Sequence, residues 1–421
     1  MRKKKLWKAS VTTGILTFLY ISNAVAGGCA PNSSNRPVCP AGAIAEDATF
    51  IDPTATILNA DNVRLSKHIY IAPFVAISPG SQATGVTIGE KSNLQDNVVL
   101  NGSGIALGDE VILAHGARVN GPAKIGHEAV AGAHNAAFIG FNSLVDRGNV
   151  EPDAMVLHLA RVAPGITVHA GQVVLSGKNV TTQAQADNPA LGKVIPITDA
   201  LRVFMDGVLH VNETFAREYT NLYYNNPSNV KGINYDPSDG GALPSFNPTR
   251  DLPTLAGVGT RDPNYRNRII GNVVMRDSKD DLSDTDLVGS RISLRADEGE
   301  PFHVGEIARM NDRTTFHALE HTGIQLHDDI TYGRRSIVHG GASAATVNNP
   351  HSETTVGDRS KIGNYAVVFR STLGHNVKIG CGSLVDGATL ADDTVIPART
   401  IVINAGHSNP QRYPVEWNPG C

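Results

Sequence analysis

Apolar residues recur every six positions along much of this 421-residue chain. One register runs Ile88, Leu94 and Leu100. A second runs Leu107, Leu113, Val119, Ile125 and Ala131. A third runs Val150, Val156, Val162, Val168, Val174 and Val180. A helix repeats every 3.6 residues and a strand every two, so neither alone produces a period of six. A parallel β-helix does: each triangular coil has three short faces, and each face turns one anchor residue inward. Glycines near the expected corners (Gly89, Gly108, Gly126, Gly140) agree with that geometry. The spacing returns later at Val304, Met310 and Phe316, and at Tyr332 and Val338. It continues through Val356, Ile362 and Val368, through Leu373, Ile379 and Val385, and through Leu390, Ile396 and Val402.

Two stretches depart from the pattern. Residues 198–223 place Leu201, Phe204, Val208, Val211, Phe215, Tyr219 and Leu222 at helical spacing. The pattern predicts a helix lying along one face of the first solenoid. Residues 224–293 are dominated by Asn, Pro, Asp, Gly and Ser and read as an irregular linker, with one strand-like stretch, IIGNVVM, near Ile269. The expected organisation is therefore a β-helix with its helix at 45–223, a linker at 224–293, and a second β-helix at 294–421.

Composition narrows this without changing it. Charged residues make up 18% and aromatics 5%, and there are 42 glycines, which suits short strands and tight turns. A net charge of −4 gives no reason to expect a nucleic-acid partner. The basic start MRKKKLWK, an apolar run and the Asn-Ala-Val-Ala-Gly end form an export signal, with cleavage expected after Ala26 and a periplasmic or secreted product. Four cysteines then remain: Cys29, Cys39, Cys381 and Cys421. In an exported chain they suggest disulfides, and three pairings are open.

The chemistry gathers between Arg295 and Gly357. Acidic residues Asp297, Glu298, Asp312 and Glu320 stand there with His317, His339 and His351. Histidines on the rungs of a rigid repeat can hold a metal. The chain has 15 histidines, however, and proximity in sequence alone says little. His127, His134, His158, His169, His321, His327, His375 and His407 read as ordinary turn or surface residues.

RADEGEPFHVG, NDRTTFHALE, SIVHG and PHSETTVGD resemble the metal-site region of the gamma-class carbonic anhydrases. That resemblance implies a left-handed β-helix and a homotrimer with metal sites between subunits. It implies reversible hydration of CO2 to bicarbonate by the hydroxide of a metal-bound water, the metal being Zn2+, or Fe2+ or Co2+. The implied ligands are His317, His339 and His351. Glu298 matches a catalytic glutamate, Glu320 a proton shuttle, and Asn311 the place of a glutamine near the bound water. Arg295, Asp297 and Asp312 match a charged cluster at the trimer interface.

The earlier solenoid resembles the same family through SNLQDNVVLN, VILAHGARVNGPAKIG, TTQAQAD and LHVNETFAREY. Two of its three ligand positions are Asn101 and Asn120, and only His115 remains. It keeps Gln95, Asp96 and Asn212, which match positions close to the family's site. The first copy therefore reads as degenerate, with His115 an alternative ligand in a composite site facing His317 and His351. Two other functions use the same scaffold: a hexapeptide-repeat acyltransferase and a non-catalytic β-helix.

Overall fold

A computed structural model describes residues 49–225, 266–404 and 410–421, with breaks at 53, 60–61, 81–84, 129, 272, 277–281, 283, 298–301, 320–321 and 342–351. Its strands stack in parallel into two left-handed β-helices, each with three sheets. The first β-helix has sheets of eight, seven and six strands, and the second of eight, six and five. Strands are short because each face of a coil is short. Thr167–Val168 has two residues and Val111–Leu113 has three.

The sixfold anchors fill the two cores. Ile88, Leu94, Leu100, Leu107, Leu113, Val119 and Ile125 are buried, as is every member of the Val150–Val180 register. Removing one such aliphatic side chain from water contributes about 1.5–3 kcal/mol. Parallel register stacks them coil over coil, as in Val119 beside Leu100 and Val145. Ala131 leaves the register. It lies exposed in a turn before Ala137–Ile139, the next strand of the stack. At one corner the backbones of successive coils nearly touch. A Cβ on Gly89 would come within 2.3 Å of Gly108, and one on Gly108 within 1.7 Å of the Gly126 carbonyl oxygen. Only glycine fits this ladder.

The linker is shorter than its composition suggests. Arg268–Gly271 pairs in parallel with Ser293–Ala296, and Val273–Met275 with Phe302–Val304. The IIGNVVM stretch is therefore the opening coil of the second β-helix. Its coil is widened by polar insertions before Leu294, which breaks the six-residue spacing that would have revealed it.

The two eight-stranded sheets face each other. Ile112, Phe138, Met155 and Val173 from the first pack with Ile337, Val367, Leu384 and Ile401 from the second in one buried cluster. The helix Asp199–Asn225 lies along the facing sheet of the first β-helix. Its Phe215 and Tyr219 reach the buried rings of Tyr70 and Phe50, at 5.4 and 5.2 Å between centres. The tail closes the assembly from the other end. Gln411–Pro414 pairs antiparallel with Thr400–Ile403, and Cys421 is disulfide-bonded to Cys381. Buried Trp417 donates its indole N–H to the Leu159 carbonyl of the first β-helix. Cys29 and Cys39 lie outside the described residues.

One buried ion pair also crosses between the β-helices. Arg268 donates through Nε and Nη2 to Asp52, at 3.1 and 2.8 Å, and both residues are about 1% exposed. Removing one partner strands a buried charge. Asp52→Ala should therefore cost about 3–5 kcal/mol of stability, read from urea unfolding. A loss within experimental error of zero would mean that water or other groups already compensate the charge.

Candidate metal centre

Three histidines converge between the facing sheets. His317 and His339 sit opposite each other on the neighbouring strands Thr315–His317 and Ile337–His339. His115 arrives from the first β-helix, two residues past Val111–Leu113. All three are buried, and one nitrogen from each lies within 4.8 Å of the others. His115 Nε2 is 3.1 Å from His317 Nδ1, and that atom is 3.2 Å from His339 Nε2.

Each ring has an acceptor behind it, a carboxylate at ion-pair distance for His115 and His317 and a hydrogen-bonded carbonyl for His339. His115 Nδ1 is 3.1 Å from Asp96, and His317 Nε2 is 3.5 Å from Asp297. His339 Nδ1 donates to the Gly340 carbonyl at 2.6 Å. Carboxylates and carbonyls accept only, so the tautomers that place N–H on the outer nitrogens leave lone pairs on the inner ones. Burial lowers the pKa of all three rings, that of His317 to about 4, with Arg295 adding to the effect. The rings are thus neutral at pH 7.

That donor set fits a metal ion. In those tautomers the three inner nitrogens have no hydrogen to share, and a cation resolves the contact. Tetrahedral ligands at about 2.0–2.1 Å from Zn2+ lie about 3.3 Å apart, close to the 3.1 and 3.2 Å that separate His317 from His115 and His339. Outer partners on every ring are what ligating histidines need to stay oriented.

The outer partners are tied together by Arg295, which is 1% exposed. It donates to Asp297 through Nε and Nη2 at 2.9 and 2.7 Å, and to Asp96 through Nη1 at 2.9 Å. Tyr219 of the helix and Ser293 add short hydrogen bonds to Asp297 and Asp96. Burial pushes both carboxyls up, but Arg295 and the adjacent histidines outweigh it. Asp297 is held down to about 2, and Asp96 falls well below the usual carboxylate range.

A cavity of about 560 Å3 opens onto His317 and His339. Its walls are Phe138, Phe141, Phe369, Leu319 and the helix residues Val203, Phe204 and Val208. Gln95, Asn212 and Arg370 add polar groups. His158 belongs to the aromatic wall. Its ring stacks on Phe141 at 4.4 Å and 12°, and its Nδ1 accepts the Phe141 N–H at 3.0 Å. Burial lowers its pKa to about 4.

The sequence-predicted residues divide into three groups. His317, His339, Arg295, Asp297, His115, Gln95, Asp96 and Asn212 come together here. Glu298, Glu320 and His351 lie outside the described residues, and among the described residues the third nitrogen of the cluster belongs to His115. Asn311 and Asp312 stand elsewhere. Asn311 donates to the Tyr332 carbonyl at 2.7 Å, and Asp312 accepts from the Ser290 N–H at 2.8 Å. They occupy in the second copy the place of Gln95 and Asp96, but they line a separate pocket with Arg309 and Arg334. Aligning LAHGARVN with YGRRSIVH reveals the division. Arg334 stands where the first copy has His115, and His339 where it has Asn120.

No family model matches the chain. It is similar to a carbonic anhydrase from Methanosarcina thermophila, at 29% identity over 171 residues, 39% of this chain and 66% of that protein. It is similar to the carboxysome assembly protein CcmM of Nostoc, at 35% over 113 residues, 26% of this chain and 19% of that protein. The same protein from Synechococcus elongatus matches at 29% over 174 residues, 37% of this chain and 30% of that protein. The chain thus spans less than two thirds of each of these relatives. Among solved structures, a hexapeptide transferase family protein from Anaplasma phagocytophilum covers 41% of this chain and 93% of its own, with 19% identity and a TM-score of 0.30. A likeness of that size says nothing of activity.

Two outcomes test this arrangement. Asp96→Asn should weaken metal binding about 10–100-fold, measured by chelator competition, because His115 loses its orienting acceptor. Unchanged affinity would detach Asp96 from the centre. His158 predicts an acid dependence. Its folded pKa of about 4 lies below the ordinary 6.5, so the unfolded chain binds the proton first. Stability should be full above pH 6.5 and fall by about 3 kcal/mol as the pH drops towards 4. Urea unfolding of His158→Asn, whose Oδ1 stands in for Nδ1, should show a shallower acid limb than wild type. Parallel limbs would assign the acid loss to other groups.

Proposed function

We propose that this chain, a tandem relative of the gamma-class carbonic anhydrases, is itself a metal-dependent carbonic anhydrase with one composite site per chain. The observation that carries the reading is the convergence of three neutral, outwardly anchored imidazoles from two β-helices. His115, His317 and His339 would hold Zn2+, Fe2+ or Co2+. Three histidines leave a coordination position open, and an ion held so supplies Lewis acidity that makes water a source of hydroxide near neutral pH.

The chain's own residues then have defined tasks. Asp96, Asp297 and the Gly340 carbonyl keep three lone pairs aimed at one point. Phe138, Phe141, Phe369 and Leu319 exclude bulk water and favour an apolar substrate such as CO2. Gln95 and Asn212 offer amide groups to hydrogen-bond water or bicarbonate. Hydration releases a proton, and Glu298 and Glu320 are the residues proposed to carry it away.

The site needs no second subunit to supply a ligand, because one chain carries both facing sheets. A trimer of whole chains is therefore not a requirement of this reading. Export is part of the proposal, supported by the leader and by the Cys381–Cys421 disulfide. A second reading, a non-catalytic assembly scaffold, rests on the relatives named as carboxysome assembly proteins.

Metal analysis and stopped-flow CO2 hydration on single variants decide the matter. His115→Ala, His317→Ala and His339→Ala should each lose the metal and activity, while His351→Ala keeps the metal. A protein that holds stoichiometric metal without hydrating CO2 favours the scaffold. Metal lost in His351→Ala but kept in His115→Ala would overturn the composite site.

A further inference from the structure

A second concentration of charge lies where the β-helices meet, one residue along from the cavity wall. Asn142 follows Phe141 there, and its Nδ2 donates to the carbonyls of Arg335 and Tyr365 at 3.0 and 3.3 Å. Around the Tyr365 ring gather three guanidinium groups. Arg118 of the first β-helix and Arg334 of the second lie 5.5 Å from its centre, and Arg335 lies at 5.9 Å. Arg313 holds the same corner as Arg335 one coil earlier, and both have left-handed backbones, φ 61° and 57°.

Little negative charge faces these four cations: Asp312 acts on Arg313 without forming an ion pair. Among the described residues, none of them forms an ion pair with a carboxylate, although Arg202, Arg268, Arg295 and Arg370 all do. Arg335 is 8% exposed, and its Nη1 has no hydrogen-bond partner. Arg118 donates Nη2 to the Pro419 carbonyl at 3.1 Å, while its Nε is buried without a partner. Burial lowers the pKa of Arg335 to about 10, and Arg313, Arg118 and Arg334 push it the same way. An aromatic face attracts a cation, but one neutral ring shared by three cannot cancel their repulsion. A buried guanidinium with open N–H groups requires an anion or another acceptor.

We propose that Arg118, Arg313, Arg334 and Arg335 form an oxyanion site, distinct from the metal centre, that takes a free tetrahedral dianion of the phosphate class. Several guanidinium forks converging from two β-helices match an anion with oxygens on every side and more than one charge. Exposed Arg334 leaves the corner open to solvent. Because Arg118 belongs to one β-helix and the others to the second, a bound dianion would link the two.

Calorimetric titration of the intact protein with inorganic phosphate, against sodium chloride at matched ionic strength, tests this. One phosphate should bind per chain. Arg335→Gln and Arg118→Gln should each weaken it at least tenfold, and the exposed Arg334→Gln severalfold. Arg334→Gln keeps the test alive if a buried variant fails to fold. His317→Ala should bind phosphate as wild type does, so failure of the metal reading leaves this result intact. No binding beyond chloride, or affinity unchanged in every arginine variant, overturns the site. Binding lost in His317→Ala would move the phosphate to the metal centre and overturn it equally.

Discussion

The bridge from Asp96 through Arg295 to Asp297 is the constraint on which the rest of this structure depends. Three charges are buried almost completely at the boundary of two β-helices. Each alone would be costly there, and together they hold only because the guanidinium satisfies both carboxylates. The bridge fixes how one solenoid sits against the other, since Asp96 belongs to the first and Arg295 to the second. It also fixes chemistry, because the same two carboxylates stand behind His115 and His317. Tyr219 joins the network through Asp297, so the long helix is tied to the same point.

That arrangement explains why neither copy is complete. The first supplies an edge, Gln95, Asp96 and His115, and the second supplies a face, Arg295, His317 and His339. The reciprocal pieces have changed. Asn101 and Asn120 stand on the first copy's face where the second has His317 and His339, and Arg334 stands on the second copy's edge where the first has His115. The second copy's edge meets the first β-helix through backbone contacts, with Asn142 donating to the Arg335 carbonyl and Asn97 to the Arg291 carbonyl. Arg334 and Arg335 of that edge gather around Tyr365 together with Arg118 of the first β-helix.

Much of this was legible in the sequence, and the failures have physical causes. A period of six survives because every coil must bury its anchors, so the solenoids and their cores could be read directly. Ala131 lies in a turn that lengthens its coil, where an apolar residue has no inward face to fill. The coil opening at Arg268 was hidden by polar insertions that break the spacing without breaking the stacking. His115 was harder, because a histidine brought in from a separate solenoid leaves no local spacing. Its only trace was complementary loss between copies. Asn311 and Asp312 match by position, yet position within a coil does not say which way that edge faces once two coils pack.

Charge balance decides what the centre can accept. The three imidazoles are neutral, and the two carboxylates stay ionised beside one arginine. The described inner shell therefore carries a formal charge of −1 before any ion enters. A divalent cation brings it to +1, with the carboxylates one ring away instead of in contact. Direct carboxylate ligands would reduce the Lewis acidity of that ion, whereas carboxylates behind histidines orient the rings and leave the ion electron-poor. Aromatic walls keep water from screening that field. The same logic separates the arginine corner from the histidines. Its surplus positive charge would weaken cation binding if it faced the cluster, and it lies beyond Phe141 and Asn142, at the outer corner of the interface.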